Sequence, residues 1–310
     1  MNRQLKGSII LLLAAIIWGT GFVAQDKGAD FVGPFTINAV RWIIGALFLT
    51  IIVVLKGKSE ENKESLFVGF FNKSELIGGS VCGVLLFVSS SFQQFGISLY
   101  SDSEAAAGKA GFITALYIVL VPLCGLFMKK RVPVSVWVAI GIALLGMYLL
   151  CIKSEFSISS ADILVFLCAV AFTFHILTID RFSESANGLR LSAVQMLVCG
   201  ILSVICMFAF EQPQMSGILK AAVPLLYLGI LPSGVAYTFQ IIGQKNTNPA
   251  LASVIMSLES IFAALTGTLF GERMSSRETL GSVLMFVAVL LAQVDITEIV
   301  KKVKRNKSKI

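Results

Sequence analysis

The chain has 310 residues, 56% of them hydrophobic and only 14% charged, and a formal net charge of +7. A soluble protein carries roughly 25% charged residues and shows one-sided helices, whereas here apolar residues run on without a polar face and the mean hydropathy is +0.86. These features exclude a soluble enzyme or a nucleic-acid-binding domain and predict an all-α polytopic membrane protein.

A hydrocarbon core about 30 Å thick needs roughly 20 helical residues to cross it. Ten runs of about that length follow one another at 8–25, 34–55, 76–96, 105–128, 133–152, 162–179, 190–210, 221–243, 250–270 and 277–294. All are far longer than the roughly 10-residue strands of a membrane barrel, so the spans are helical. The first run follows Arg3 and Lys6, as a secretion signal would. It continues through Trp18 and Phe22 without a small-x-small cleavage site and reads as a retained first helix. The longest connection, 56–75, leaves no room for a soluble domain, so any function must be built inside the membrane.

If the N-terminus lies in the cytoplasm and the chain crosses ten times, 18 of the 25 lysines and arginines fall on the cytoplasmic side. Five fall outside, and two, Arg41 and Lys109, lie within spans. The bias of positive charge toward the cytoplasm places both termini there. The basic tail from 297 to 310 reads first as a stop-transfer anchor. All six cysteines (Cys82, Cys124, Cys151, Cys168, Cys199 and Cys206) lie in or at the ends of spans with no Cys-x-x-Cys pair, and read as small apolar filler.

The chain reads twice. Leu13–Trp18 recurs about 154 residues later as Leu167–Phe172, Asp26-Lys27 as Asp180-Arg181, and Arg41 as Gln195. Phe92-Gln93 with Gly96 recurs as Phe239-Gln240 with Gly243, and Lys130-Arg131 as Glu272-Arg273. Five spans is an odd number, so the second copy enters the membrane from the opposite side. The expected units are 1–152 and 153–296, two inverted-topology five-helix repeats around a central cavity, followed by the tail.

Five segments carry a family resemblance: Trp18-Gly19-Thr20-Gly21-Phe22; Arg41; Ala110-Gly111-Phe112-Ile113-Thr114 leading to Pro122; Gly229 through Gln240; and Leu258-Glu259-Ser260 through Gly271-Glu272-Arg273. With these the chain resembles the EamA-type branch of the drug/metabolite transporter superfamily, from about Gly7 to Gln293. The resemblance implies ten helices in two inverted halves, a central cavity, and export or exchange of small metabolites. Lys130 stands where the family often has Glu, and Ser260 where it often has Pro. The second departure predicts a straighter ninth helix.

An ionisable side chain in hydrocarbon costs about 2.5–3.5 kcal/mol on insertion scales and so faces a cavity or a partner. Arg41, Lys109, His175, Glu259 and, at a helix end, Asp180 qualify. Glu259 sits mid-span, as a coupling group or in a structural pair with Arg41 or Lys109. A carboxyl bonded to a backbone carbonyl is the third alternative. Arg41 is placed to clamp a carboxylate or phosphate with two prongs, or to orient its helix. Lys109 lies close enough to its helix end to snorkel. The lone His175 reads first as a packed, hydrogen-bonded side chain, with a proton relay as the alternative, and one histidine argues against a metal site.

Trp18, Tyr117, Phe92, Phe112, Phe172, Tyr237 and Phe239 are candidates to line a cavity or to pack helices, and Gln93 and Gln240 to bond a polar substrate. Pro122 and Pro232 lie inside spans and are candidate hinges. No complete Walker-type phosphate loop (Gly-x-x-x-x-Gly-Lys-Ser/Thr) is present, so no ATP-driven step and no cofactor is expected. The leading reading is a secondary transporter, not an enzyme. A passive facilitator or channel, and an integral-membrane enzyme, are the alternatives. The expected partners are a small-molecule substrate and the lipid bilayer, with a homodimer left open and no nucleic acid. Amino acids, purines and drug-like amphiphiles all fit such a cavity, with or without proton coupling. The compact chain points to a bacterial cell membrane.

Overall fold

The computed structural model describes residues 3–59, 71–100, 106–129, 132–152, 158–269 and 274–293; side chains at 57–59, 106–109 and 151 are outside that set. Lys130, Arg131, Glu272, Arg273 and the basic tail also lie outside it. Among the described residues every regular element is helical. The helices are α1 (Arg3–Ala29), α2 (Pro34–Ser59), α3 (Lys73–Leu99), α4 (Ala106–Thr114), α5 (Tyr117–Phe127), α6 (Val134–Cys151) and α7 (Ser160–Ser183) in the first part. They continue as α8 (Gly188–Phe210), α9 (Met215–Lys220), α10 (Ala222–Leu228), a π-helical stretch Gly229–Ala236, α11 (Tyr237–Gln244), α12 (Pro249–Met256), α13 (Glu259–Leu269) and α14 (Ser276–Ala292).

Among the described residues eight segments are long and apolar enough to cross a membrane: α1, Pro34–Lys56 of α2, α3, Ala110–Phe127, α7, α8, Ala222–Gln244 and Pro249–Leu269. The fifth and tenth predicted spans are shorter. Val134–Leu150 is a short apolar helix, and α14 has 17 residues with Arg277 and Glu278 in its first turn.

The helix packing repeats itself when each span is exchanged with the span five places later. The third span packs on the sixth (α3 on α7) as the eighth packs on the first (α10, the π-helical stretch and α11 on α1). The third packs on the seventh as the eighth packs on the second, and the first on the ninth as the sixth on the fourth. Spans two and seven, and spans five and ten, pack on their own counterparts.

The direction of those counterparts decides the kind of symmetry. A Cβ on Gly146 would lie 2.7 Å from the Gly281 carbonyl, and one on Gly281 would lie 2.7 Å from the Leu150 amide, so α6 and α14 run antiparallel. Likewise Gly33 of the turn before α2 meets Glu211 at the end of α8, while Gly200 meets Ile43. Counterparts that run antiparallel are related by an axis lying in the membrane plane, which is the inverted repeat.

In lipid the helices gain nothing from hydrophobic exclusion of one another, so backbone approach at small residues holds them together. The α6/α14 crossing shows it, with Gly146 and Gly281 each against the other's carbonyl oxygen and Met147, Ala288 and Met285 filling the rest. At the membrane surfaces three carboxylates tie segments together while capping helices. Glu211 accepts from the amides of Phe35 (2.7 Å) and Thr36 (2.9 Å) at the start of α2. Glu75 closes a capping box with Asn72 and also accepts from the amide of Asn187 at 3.0 Å. Asp162 caps α7 from Ser159 and accepts from the Tyr100 hydroxyl at 2.5 Å.

One expectation is corrected. The ninth span is not straighter for lacking proline at Ser260, because it is interrupted at Ser257–Leu258, between α12 and α13. The fourth span is interrupted in the same way at Ala115–Leu116, six residues before Pro122. The two breaks share one hydrogen-bond pattern. The Leu116, Ile118 and Val119 amides donate to the Ile113, Ala115 and Leu116 carbonyls; 142 residues later Leu258, Ser260 and Ile261 donate to Ile255, Ser257 and Leu258. Each is a short turn of i to i+3 bonds, tighter than the α-helix on either side. Pro232 distorts its span differently, inside the π-helical stretch, where its carbonyl accepts the Trp18 indole N–H at 3.2 Å.

Gly281→Leu overpacks the α6/α14 crossing and destabilises by about 1–3 kcal/mol. Gly141→Leu, on the partner helix α6 but with nothing within 4 Å of its added Cβ, leaves the melting temperature in detergent unchanged. Thermal unfolding of the two purified variants measures the difference.

Candidate functional site

The two breaks lie midway along their spans and meet each other. Tyr117 is the first residue of α5 and Glu259 the first of α13, so the two occupy equivalent positions in the repeats. The Tyr117 hydroxyl donates to Glu259 Oε1 at 3.1 Å, joining the halves across the pseudo-two-fold axis. Both side chains are buried, at 4% and 6% exposure.

Around this bond lies a chamber of about 50 Å³, enough for a few water molecules. Its wall is itself paired by the repeat: Trp18 with Phe172, Phe22 with Ile176, Gln93 with Gln240, Thr114 with Met256, and Tyr117 with Glu259. The remaining lining breaks the symmetry. Gln25, Arg41, Trp42, Ser233 and Tyr237 put a cation and two further aromatic rings on one side.

Arg41 is held there rather than drawn to the surface. Its Nη1 donates to Gln25 Oε1 at 3.0 Å, and its guanidinium carbon sits 4.4 Å from the Trp42 ring centroid, a cation–π contact. Its Nε has no partner. Tyr237 is wedged edge-on between Trp18 (4.8 Å) and Trp42 (5.5 Å). Gln93 Nε2 donates to Thr114 Oγ1 at 3.4 Å, while Gln240 Oε1, Ser233 Oγ and Trp42 Nε1 are buried without partners. A buried polar atom left unpaired costs about 1–3 kcal/mol, a cost that a polar molecule in the chamber would relieve.

Of the eight candidates from the sequence, six line the chamber: Trp18, Arg41, Gln93, Tyr117, Gln240 and Glu259. His175 is not among the lining residues. It is fully buried, with Nε2–H donating to Gln195 Oε1 at 3.2 Å and its ring against Phe172 and Tyr237. Gln195 is the repeat counterpart of Arg41, so each half bonds its second span to its first, with Arg41–Gln25 in one and Gln195–His175 in the other. Lys109 lies in α4, with its side chain outside the described set. Asp180 sits near the end of α7, away from the lining.

The pairing of Glu259 with Arg41 weighed from the sequence is not found among the described residues; the carboxylate takes its hydrogen bond from Tyr117 instead. Of the seven aromatic candidates, Trp18, Tyr117, Phe172 and Tyr237 line the chamber, and Phe92, Phe112 and Phe239 do not. Gln25, Trp42 and Ser233 were missed. One signal was available for Gln25, which lies one helical turn beyond Phe22 on the face of Trp18.

In a background freed of native cysteines, Gln93→Cys and Gln240→Cys should react with small aqueous thiol reagents. Phe92→Cys and Phe239→Cys, one residue round each helix, should stay unmodified. Mass spectrometry of the labelled protein checks both.

Comparison with known proteins bears directly on this arrangement. The model of the EamA-like transporter family matches twice, over residues 5–152 and 159–293. An uncharacterized transporter of Archaeoglobus fulgidus is 28% identical over 295 residues, covering 93% of this chain and 86% of the relative. The uncharacterized transporter YwfM of Bacillus subtilis is 27% identical, covering 92% of each. The uncharacterized inner membrane transporter YedA of Escherichia coli K12 is 25% identical, covering 89% and 87%. A crystal structure 21% identical shares the fold with a TM-score of 0.73, over 93% of this chain and 96% of the other. With nearly the whole chain accounted for by two family matches, this protein is a multi-pass membrane protein that belongs to the EamA-like transporter family, within the drug/metabolite transporter superfamily.

Proposed function

We propose that the protein is a secondary active transporter of a bacterial cell membrane, exporting or exchanging a small polar metabolite by alternating access, with both termini in the cytoplasm. The moving units are the repeats 1–152 and 153–296. The observation that carries this reading is the central chamber, buried where the two repeats meet and lined by unpaired polar groups from both. At about 50 Å³ it is too small for a metabolite, so in this reading the chamber widens to load one.

Two equivalent seams support the mechanism. Near the N-terminal face, Gly7 of α1 meets Gly243 of α11, where a Cβ on Gly243 would lie 3.0 Å from the Gly7 carbonyl. Near the opposite face, Gly96 of α3 meets Ala161 and Val165 of α7, where a Cβ on Gly96 would lie 3.3 Å from the Ala161 carbonyl. Gly96 and Gly243 are repeat counterparts, and so are Gly7 and Ala161 at the 154-residue offset. Exchanging the shapes of the two halves then opens one seam while closing the other.

The chamber has two chemical ends. Arg41 Nε, the Trp42 indole N–H and Ser233 Oγ offer donors on one side, and Glu259 and Gln240 Oε1 offer acceptors. A small zwitterion, with its carboxylate toward Arg41 and its ammonium toward Glu259, satisfies both, and amino acids are the simplest of that class. In the absence of substrate, a proton on Glu259 would spare it a buried charge, and this is how we read proton coupling.

Proteoliposomes loaded with a panel of radiolabelled zwitterionic amino acids test the reading. Wild-type protein should drive concentrative, uncoupler-sensitive flux. Arg41→Gln should weaken apparent affinity about 10- to 100-fold, the loss of about 1.5–3 kcal/mol from a charged hydrogen bond. Glu259→Gln should flatten the pH profile of transport. Flux that merely equilibrates and ignores an uncoupler would establish a passive facilitator instead.

A substitution in each seam tests the alternation. Gly243→Leu should prop the seam near the N-terminal face, and Gly96→Leu the opposite one. Impermeant thiol labelling of a chamber cysteine should then rise from one side only in each variant. Labelling that rises equally from both sides would contradict it.

A further inference from the structure

Outside the chamber, the surface holds a groove that shares no lining residue with it. It has a volume of about 390 Å³ and lies between α5 and α7, lined by Cys124, Phe127, Met128, Phe174, Leu177, Thr178 and Arg181. Phe174, Leu177, Thr178 and Arg181 fall at helical spacing on one stripe of α7, so the groove runs about 10 Å along the helix axis. Both helices end at the same membrane face, the one that carries the N-terminus and the larger share of the positive charge.

We propose that this groove binds one anionic phospholipid, with an acyl chain between α5 and α7 and the phosphate against Arg181. The wall is apolar along its length, and its exposed rings, Phe127 and Phe174, lie in segments that cross the hydrocarbon layer. An acyl chain is the occupant such a wall receives there. The polar end is cationic. Arg181 is exposed and, among the described residues, makes no ion pair or hydrogen bond. Lys129, exposed and held at φ 59° just past α5, follows Met128 at the same end. No carboxylate lines the groove, so a head group of net negative charge is preferred over a zwitterionic one. The groove is a separate site from the chamber, since no residue lines both.

The test is native mass spectrometry of the full-length protein released from nanodiscs of equal parts phosphatidylglycerol and phosphatidylethanolamine. One phosphatidylglycerol should be retained in preference on the wild type. Arg181→Gln should lower that preference about five-fold, the weight of one cation near a membrane surface. Cys124→Phe, which fills the groove, should abolish retention while leaving the melting temperature within the range of the wild type. Equal retention of the two lipids by the wild type, or undiminished preference in Arg181→Gln, would overturn the proposal. So would full retention in the folded Cys124→Phe variant.

Discussion

Midway along their spans Tyr117 donates to Glu259, each from the first residue after an identical helical break. The position follows from the two-fold axis. A residue near the axis meets its own counterpart, so any chemistry placed there is contributed by both repeats at once. The breaks matter for the same reason. A turn of i to i+3 bonds shifts the helical register, and the same shift in spans four and nine brings Tyr117 and Glu259 face to face. Had the sequences at these positions been alike, two carboxylates or two phenols would have met. Because the two positions differ, a donor meets an acceptor there.

Symmetry sets the frame, and departures from it supply the chemistry. Five pairs of repeat counterparts line the chamber, but the cation stands on one side only, because Gln195 replaces Arg41 in the second repeat. Arg41 remains buried because Gln25 and the face of Trp42 compensate part of its lost hydration. On the other side His175 and Gln195 satisfy each other and stay out of the chamber. A molecule in the chamber therefore meets a polar gradient, although the scaffold around it is nearly two-fold.

The outer parts of the protein obey a different rule. In lipid, unpaired backbone groups are costly and helices approach through small residues, so stability is concentrated in crossings such as Gly146/Gly281. Spans five and ten, paired only with each other and with core helices, anchor one edge. The surface carboxylates Glu211, Glu75 and Asp162 cap helices and bind across segment boundaries. They join the ends of the spans at points where a rocking repeat would have to let go or carry its neighbour along.

The sequence by itself determined the membrane class, the helical positions and the doubling. Continuous apolar runs have one stable form in lipid, and an odd number of spans per copy forces inversion. It also singled out Arg41 and Glu259, since ionisable groups in hydrocarbon demand an explanation. It failed where the decisive quantity was direction. An amide, indole or hydroxyl inside a span is equally compatible with packing and with a cavity, so Gln25, Trp42 and Ser233 passed unnoticed while His175 drew attention it does not hold as a lining residue. It also misjudged span nine, because proline is only one way to interrupt a helix, and here a tight turn at Ser257–Leu258 does so without it. Which way each polar side chain faces, and that Glu259 meets Tyr117 and not Arg41, was decided only when the helices packed, because partners such as Tyr117 and Glu259 lie on different helices, in that pair 142 positions apart.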